Sequence, residues 1–517
     1  MGQSIRLDTP LDWKSARLLA APRLWQFHLH YHEWLFDLAV DAEPSEQLWA
    51  HVRHWMDTFS GCTEQQAGDA WHPYCISRRI PAWLGVWKLR PPPAELQAEI
   101  ARSIAVQTAY LERRLETDLG GNHLLENARS LIVAGATLRN SAGDRWLDIG
   151  AQIVDGELQE QVLPHGEHFE RSPMYHSQMT VALEDMRDAT QALRPEFSAR
   201  CGNAVGRMHA FAGAILQPDG KIPLLGDSAF DEAPTPRPPL PLQFADGARR
   251  IGDYWTFRSG SDCLLYDAGP VGPDHLPAHA HADLLTIEAS FAGQRFVVDS
   301  GVHDYEDGAM RRYCRSTAAH NVLEIDGRNQ CDVYSRFRMG HRGRPAPLHC
   351  GVAGGVSWAS STHNGYRPLG VSGVGRWIGC EAGGAWLIAD WAVGSGSHTL
   401  VNRLHLHPEI RVTRHDAKTL QLDRDGICRW LTAVGNGDLS LSEGWYCPEF
   451  GVRIANRVVE FRTQSALPAA LGWVLTTGRP TAVPELILTD AELHIGARNF
   501  SADRILRISL RNAELSD

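Results

Sequence analysis

Residues 231–241 read Asp231-Glu232-Ala233-Pro234-Thr235-Pro236-Arg237-Pro238-Pro239-Leu240-Pro241. Proline fixes φ and has no amide hydrogen, so a stretch this dense in it can continue neither a helix nor the interior of a sheet. The chain must change elements here, and its texture does change. Before the seam, apolar residues recur at intervals of three and four, as in Leu18, Leu19, Leu24, Trp25, Phe27, Tyr31, Trp34, Leu35 and Leu38, the period of amphipathic helices. Residues 93–119 and 124–138 repeat that period. Ser172-Pro173 offers a capping residue followed by proline at a first helical position, with Tyr175, Met179, Ala182 and Met186 on one stripe behind it. After the seam come short aromatic and β-branched runs separated by turns, among them Tyr254-Trp255-Thr256-Phe257, Cys263-Leu264-Leu265-Tyr266 and Arg295-Phe296-Val297-Val298, continuing to Ile508. Many short strands at regular spacing indicate an antiparallel sandwich or stacked sheets. The expected class is a multidomain α+β protein, since 517 residues exceed one compact domain. Its parts are a helical (α/α) domain over 1–230, a proline-rich linker over 231–243 and an antiparallel sheet domain over 244–517. Serial helical hairpins suggest an α/α toroid, although periodicity alone equally allows an irregular bundle.

A formal charge of −11 disfavours a nucleic-acid partner, which calls for a basic balance. An acidic substrate remains compatible, because a local basic cleft can focus it. No apolar run is long enough to span a bilayer. The polar opening Met1-Gly2-Gln3-Ser4-Ile5-Arg6 has no secretory apolar stretch. The expectation is a soluble cytoplasmic protein as encoded, or a periplasmic one if a leader has been cut away. The 10 cysteines contain no CxxC pair, which argues against a zinc ribbon and fits a reducing compartment. Seventeen Trp give weak support for a sugar ligand, with core packing the commoner use of each. No GxGxxG, Walker loop or GxSxG elbow is present, so nucleotide and α/β-hydrolase chemistry lose ground.

Four constellations carry candidate chemistry. In Asn122-His123-Leu124-Leu125-Glu126-Asn127, a helix puts His123, Glu126 and Asn127 on one face, with Asn122 where an N-cap would stand; a polar pair between helices uses the same pattern. In His168-Phe169-Glu170-Arg171-Ser172-Pro173-Met174-Tyr175-His176, Tyr175 is either a phenol beside Arg171 and His176 or one more member of an apolar stripe. In His279-Ala280-His281-Ala282-Asp283, an extended strand would project alternate residues to one face. His281 with Asp299 and His320 forms a His/Asp/His set suited to zinc or another borderline metal, or else a buried polar network. His363, Tyr366 and Arg376 line either a cleft or an ordinary edge strand. Arg78, Arg79, Arg171 and Arg376 can pair with carboxylate or sulfate, or lie solvated.

On these motifs, in this order, the chain resembles the heparinase II/III-like polysaccharide lyases, a family with relatives acting on alginate. The resemblance spans residues 20–410 and implies a toroid of helical hairpins followed by antiparallel sheets, with the cleft between them. It also implies β-elimination at a uronic acid, leaving a 4,5-unsaturated end. Asn122 and His123 would neutralise the substrate carboxylate, with Glu126 orienting the histidine. Tyr175 would be the acid, and also the base where both groups share one face of the sugar. His279 would be the base for the opposite epimer, and Tyr305 a further candidate. His281, Asp299 and His320 would hold a divalent metal, zinc by the donor set, in a mainly structural role. The implied partner is an acidic polysaccharide or oligosaccharide, glycosaminoglycan- or alginate-like. Two other classes stand beside this one: a glycoside hydrolase using paired carboxylates such as Glu126 and Glu170, and a non-catalytic glycan-binding or assembly protein.

Overall fold

A computed structural model describes residues 11–41, 45–60, 68–234, 245–480, 484–488, 492–497 and 504–509. Most of the proline-rich segment, 235–243, lies outside the described residues. The chain forms two compact units. The first takes the chain up to Phe169 together with Tyr175–His209; the second takes Glu170–Met174, Ala210–Ala233 and the sheet-forming residues from 245 onward.

The first unit is helical, with principal helices Ser45–Phe59, Pro73–Leu89, Ala94–Leu111, Gly121–Leu138 and Ser141–Gln161, followed by parts of Pro173–Thr190 and Pro195–Ile215. Each buries one stripe. Leu48, Val52, Trp55, Met56 and Phe59 are all buried in the first of these, the spacing of a core-facing helix. Helix starts are chemically marked. His72 accepts from Tyr74 N ahead of a proline at the first turn, and Asn140 accepts from Gly143 N; such caps satisfy amides that the helix leaves open. Two apolar clusters form the core. One gathers Trp49, Trp55, Trp83, Ile100, Ile104 and Leu131, and the other Leu125, Ile132, Val154, Met179, Met186 and Met208. Helices Gly121–Leu138 and Ser141–Gln161 approach closely at Gly135, where a Cβ would stand 2.5 Å from the Gly143 carbonyl oxygen.

The second unit is antiparallel throughout its strand pairings. A five-stranded meander runs Gly247–Ile251, Tyr254–Ser259, Asp262–Asp267, Ile287–Phe291, Gln294–Val297. An eight-stranded sheet has Ala469–Thr476 and Trp386–Gly394 at its centre, with Val371–Glu381 next to the latter, and a four-stranded sheet is built on Ser397–His405 and Ile454–Ala466. Trp255, Phe257, Tyr266, Phe296, Ile378, Leu404, Phe461 and Trp473 share one core across these sheets. Ala210–Ala233, expected with the helices, group with the sheets instead. Leu224 N donates to Glu288 and Phe230 N to the Pro448 carbonyl, so the segment is bonded to the sheet unit along its length. The stretches 268–286 and 298–322, outside the strands and including the short helix Ala309–Cys314, carry most of the sheet unit's polar cluster.

Candidate functional site

The helical unit holds the first cluster. Helix Gly121–Leu138 begins from Gly120 and Gly121, with φ of 63° and 57°, a region glycine enters without a Cβ penalty. Gly120 is therefore the cap, and Asn122 is a buried residue of the first turn, not the N-cap expected. His123 follows, its side chain 32% exposed, with Nδ1 2.9 Å from Glu116 Oε1. Glu116 is itself held by Asn127, which accepts from Glu116 N at 2.8 Å and donates to Glu116 Oε2 at 2.9 Å. Asn127 also donates to Ser77 Oγ. Burial pushes the Glu116 carboxyl up, but the hydrogen bond and charge of His123 hold it below its ordinary 4.5. The ring of Tyr74 lies against His123 with centroids 4.3 Å apart. Burial raises the Tyr74 phenol well above its ordinary range, and Arg78, Glu126 and Tyr175 all act on it electrostatically. Asn122, His123 and Tyr175 thus share this unit with two residues that sequence reasoning missed, Glu116 and Tyr74.

Glu126 does not orient His123. It is fully buried between Arg78 and Arg129, which also engage Glu33 and Asp185. The role expected for it belongs to Glu116, which precedes the helix and so falls outside any helical period.

The sheet unit holds the second cluster. His279 and His281 lie in a turn region, not in the strand that their spacing suggested, and an aspartate brings them together. Asp227 follows Gly226, whose φ is +55° and whose missing Cβ would stand 3.0 Å from the His279 carbonyl oxygen. Asp227 N donates to that same carbonyl at 3.1 Å. One carboxylate oxygen lies 2.9 Å from His281 Nε2 and the other 2.9 Å from His279 Nδ1. Arg311 clamps both oxygens. Burial opposes the Asp227 charge, yet Arg311 and the two histidines hold its carboxyl well below the usual range. On the far side of His279, Nε2 lies 3.3 Å from Glu170 Oε2. Tyr305 is half-buried, its ring centroid 6.2 Å from that of His279, with the Arg311 guanidinium over its face.

His281 also faces His320, with ring centroids 5.3 Å apart, and His320 Nδ1 lies 2.8 Å from Asp299 Oδ2. His281, Asp299 and His320 each offer one ligand atom within 4.8 Å of the others, the one such group among the described residues. The fit to a cation is shown by two orphaned atoms: His281 Nδ1 and His320 Nε2 are buried with no hydrogen-bond partner, an arrangement a folded protein rarely leaves uncompensated. Burial lowers His281 to about 4, which keeps it neutral, as a ligand must be. Against the burial cost, Asp299 carries His320 up to about 9, so a cation bound there would take the place of a proton.

Two profiles of one family match the chain: Heparinase II/III N-terminus over residues 3–236 and Heparinase II/III-like, C-terminal over residues 248–475. The chain belongs to the heparinase II/III-like family. This heparinase II/III-like chain is 26% identical over 364 residues to the heparin-sulfate lyase of Pedobacter heparinus, a match covering 60% of the chain and 53% of the lyase. It therefore spans about half the length of that relative. It is 24% identical over 489 residues to FtsZ-localized protein C of Caulobacter vibrioides, covering 88% of the chain and 82% of that protein. A solved heparinase III structure superposes with a TM-score of 0.77 at 15% identity, covering 98% of this chain and 86% of that one. The heparan sulfate lyase HepC mutant from Pedobacter heparinus gives 0.69 at 17% identity, covering 99% and 86%. These likenesses establish the fold class expected: helical hairpins followed by antiparallel sheets.

The substrate contacts that the sequence offered as candidates have other partners in the structure. Arg79 is fully buried, donating to Gln107 and to the carbonyls of His30 and Ala70. Arg376 forks onto Asp390, its direct cross-strand neighbour, and donates to the carbonyls of Leu285 and Asn321. It holds the loops that carry the polar cluster instead of facing a ligand. Arg78 spends its guanidinium on Glu33 and Glu126. Arg171, at φ 58°, lies near Asp253 and Asp267. His363 is buried and accepts from Gly365 N, and Tyr366 donates its hydroxyl to the Arg328 carbonyl. The tryptophans serve packing: Trp49, Trp55, Trp83, Trp255, Trp391 and Trp473 are among the largest fully buried side chains.

Proposed function

We propose that this chain is a lyase of uronic-acid-containing polysaccharide or oligosaccharide, cleaving by β-elimination to leave a 4,5-unsaturated uronate. The observation that carries the reading is the Glu116–His123 pair in the unit that also holds Tyr175. The proton on C5 of a uronate is too weakly acidic to remove while the neighbouring carboxylate keeps its charge. A fixed donor beside that carboxylate lowers the barrier, because charge developing on it in the transition state meets a preorganised partner. His123, anchored through Nδ1, serves as that donor together with Asn122. Tyr175 protonates the C4 oxygen as the C4–O bond breaks, and for one epimer also removes the C5 proton; His279 is the base for the other. Tyr305 stands beside His279 as an auxiliary. The names of the relatives make heparan-type chains the first substrates to try, ahead of alginate.

The state of Glu126 weighs against the hydrolase alternative. A fully buried carboxyl group held between two guanidinium groups is not presented to a sugar. His281, Asp299 and His320 suit a divalent metal, zinc by the nitrogen and oxygen donors, in a structural role: it would tie 279–281 to the loops bearing Asp299 and His320. A second reading, a non-catalytic assembly protein, draws on the long match to FtsZ-localized protein C, whose name records a place and no chemistry. No helix among the described residues is long and apolar enough to cross a membrane.

The test is incubation of the protein with heparan sulfate, hyaluronan, chondroitin and alginate, reading ultraviolet absorbance of the unsaturated uronate. Tyr175→Phe is expected to abolish that signal with the circular dichroism spectrum unchanged. Saturated new ends by mass spectrometry would establish hydrolysis instead, and binding without new ends the assembly role.

A further inference from the structure

Two histidines of the sheet unit, His279 and His281, meet Asp227 through different nitrogens. His279 presents Nδ1 to one carboxylate oxygen and His281 presents Nε2 to the other, each at 2.9 Å. Both oxygens are also gripped by Arg311, so the carboxylate cannot rotate away without stranding a buried guanidinium. A carboxylate only accepts, so each nitrogen facing it must carry a hydrogen. We infer that Asp227 is a positioning residue that sets opposite tautomers on the two histidines, leaving Nε2 of His279 for proton exchange and Nδ1 of His281 as a lone pair for a metal ion.

Three further observations agree with that division. His281 Nδ1 is the buried nitrogen that has no hydrogen-bond partner, as an atom awaiting a cation would. His279 Nε2, by contrast, faces Glu170 Oε2 at 3.3 Å, so one proton is shared by that pair and Nε2 presents a lone pair only while Glu170 holds it. The backbone is arranged to keep the relation fixed. Asp227 N donates to the His279 carbonyl, Arg311 reaches the Ala278 carbonyl and Arg315 the Ala280 carbonyl, which pins the residue before each histidine. In an extended strand the two imidazoles would be equivalent; in this turn a single carboxylate makes them different. The role assigned to His279 rests on the lyase reading, whereas the tautomers themselves do not.

Long-range proton–nitrogen correlation spectra of histidine-15N-labelled protein test this directly. His279 and His281 signals are identified by their loss in His279→Gln and His281→Gln. The expected result is a hydrogen on Nδ1 of His279 and none on Nδ1 of His281. A His279 without a hydrogen on Nδ1, or a His281 with one there, overturns the inference whether or not the protein is a lyase. In Asp227→Asn the amide must present its NH2 to one of the histidines, so one tautomer has to reverse. Bound zinc affinity or turnover is then expected to fall about 10–100-fold, the range for loss of a partner that orients a ligand, with KM little changed. Arg311→Lys, which leaves Asp227 in place, is expected to keep both tautomers. Wild-type spectra, turnover and zinc content in Asp227→Asn would refute the assignment. If the wild type makes no unsaturated uronate but shows the expected spectra, the lyase reading fails and Asp227 keeps its role.

Discussion

Glu116 grips His123 through one nitrogen while Asn127 fixes its other oxygen, so the imidazole is aimed before any substrate arrives. Replacing the carboxylate by an amide keeps the volume and removes the charge. A hydrogen bond to a charged group is worth about 1.5–3 kcal/mol. Glu116→Gln is therefore expected to lower turnover by about 10–100-fold, with the melting temperature little altered; steady-state rates on the active substrate check this, and an unchanged rate would return Glu116 to a structural role. The helix bearing His123, Glu126 and Asn127 was legible from their spacing, and so was the helix that opens at Ser172-Pro173 and carries Tyr175, although the same face set Glu126 wrongly beside His123. Glu116 was not, because it lies ahead of the helix, where no period relates it to His123. Asp227 was equally hidden, in a stretch, Leu224-Leu225-Gly226-Asp227-Ser228, with neither helical nor strand alternation. Its one local mark was a glycine before an acid in buried, non-periodic chain. The arginines misled for a related reason: an isolated Arg reads as solvated, and only strand register sets Arg376 opposite Asp390.

Helices Gly121–Leu138 and Ser141–Gln161 meet through glycines, with no room for a methyl group at 135. Gly135→Ala must push the helices apart or bend one of them, and overpacking of this kind costs about 1–3 kcal/mol. Urea denaturation is expected to show that loss; a gain, as helix propensity alone would produce, would mean that the contact is soft. Since the first turn of Gly121–Leu138 carries Asn122 and His123, the same variant should also lower activity more than stability. Elements of this length declare themselves through apolar period, and both the helices and the strands flanking the proline-rich segment were readable that way. Segment 277–283 was not, because alternation of His and Ala imitates a strand while its hydrogen bonds are made to a turn. The membership of 210–233 was similarly out of reach, since its partners Glu288 and Pro448 lie far along the chain.

Across the molecule, the candidate site residues are divided between the two compact units. The helical unit carries a histidine, an asparagine and a phenol; the sheet unit carries the histidine pair, Asp227 and the metal-type triad. Binding to the folded state alone stabilises by mass action, about 2.7 kcal/mol at a hundredfold excess over Kd, or roughly 4 °C for a unit of about 300 residues. Chelation is thus expected to lower the melting temperature of the protein as purified by that amount and to leave His320→Ala unmoved. Equal melting with and without chelator would argue that the triad is a proton-bridged polar network. Within the helical unit, Glu33, Arg78, Glu126, Arg129 and Asp185 form an unbroken run of alternating charge. Such a run constrains descent as well as folding. A lineage that loses one member strands the charge beside it, so single-step replacements are purged and neighbouring positions can drift only in concert. Among homologues these five sites should vary as a linked block, while the exposed acids around them change one at a time.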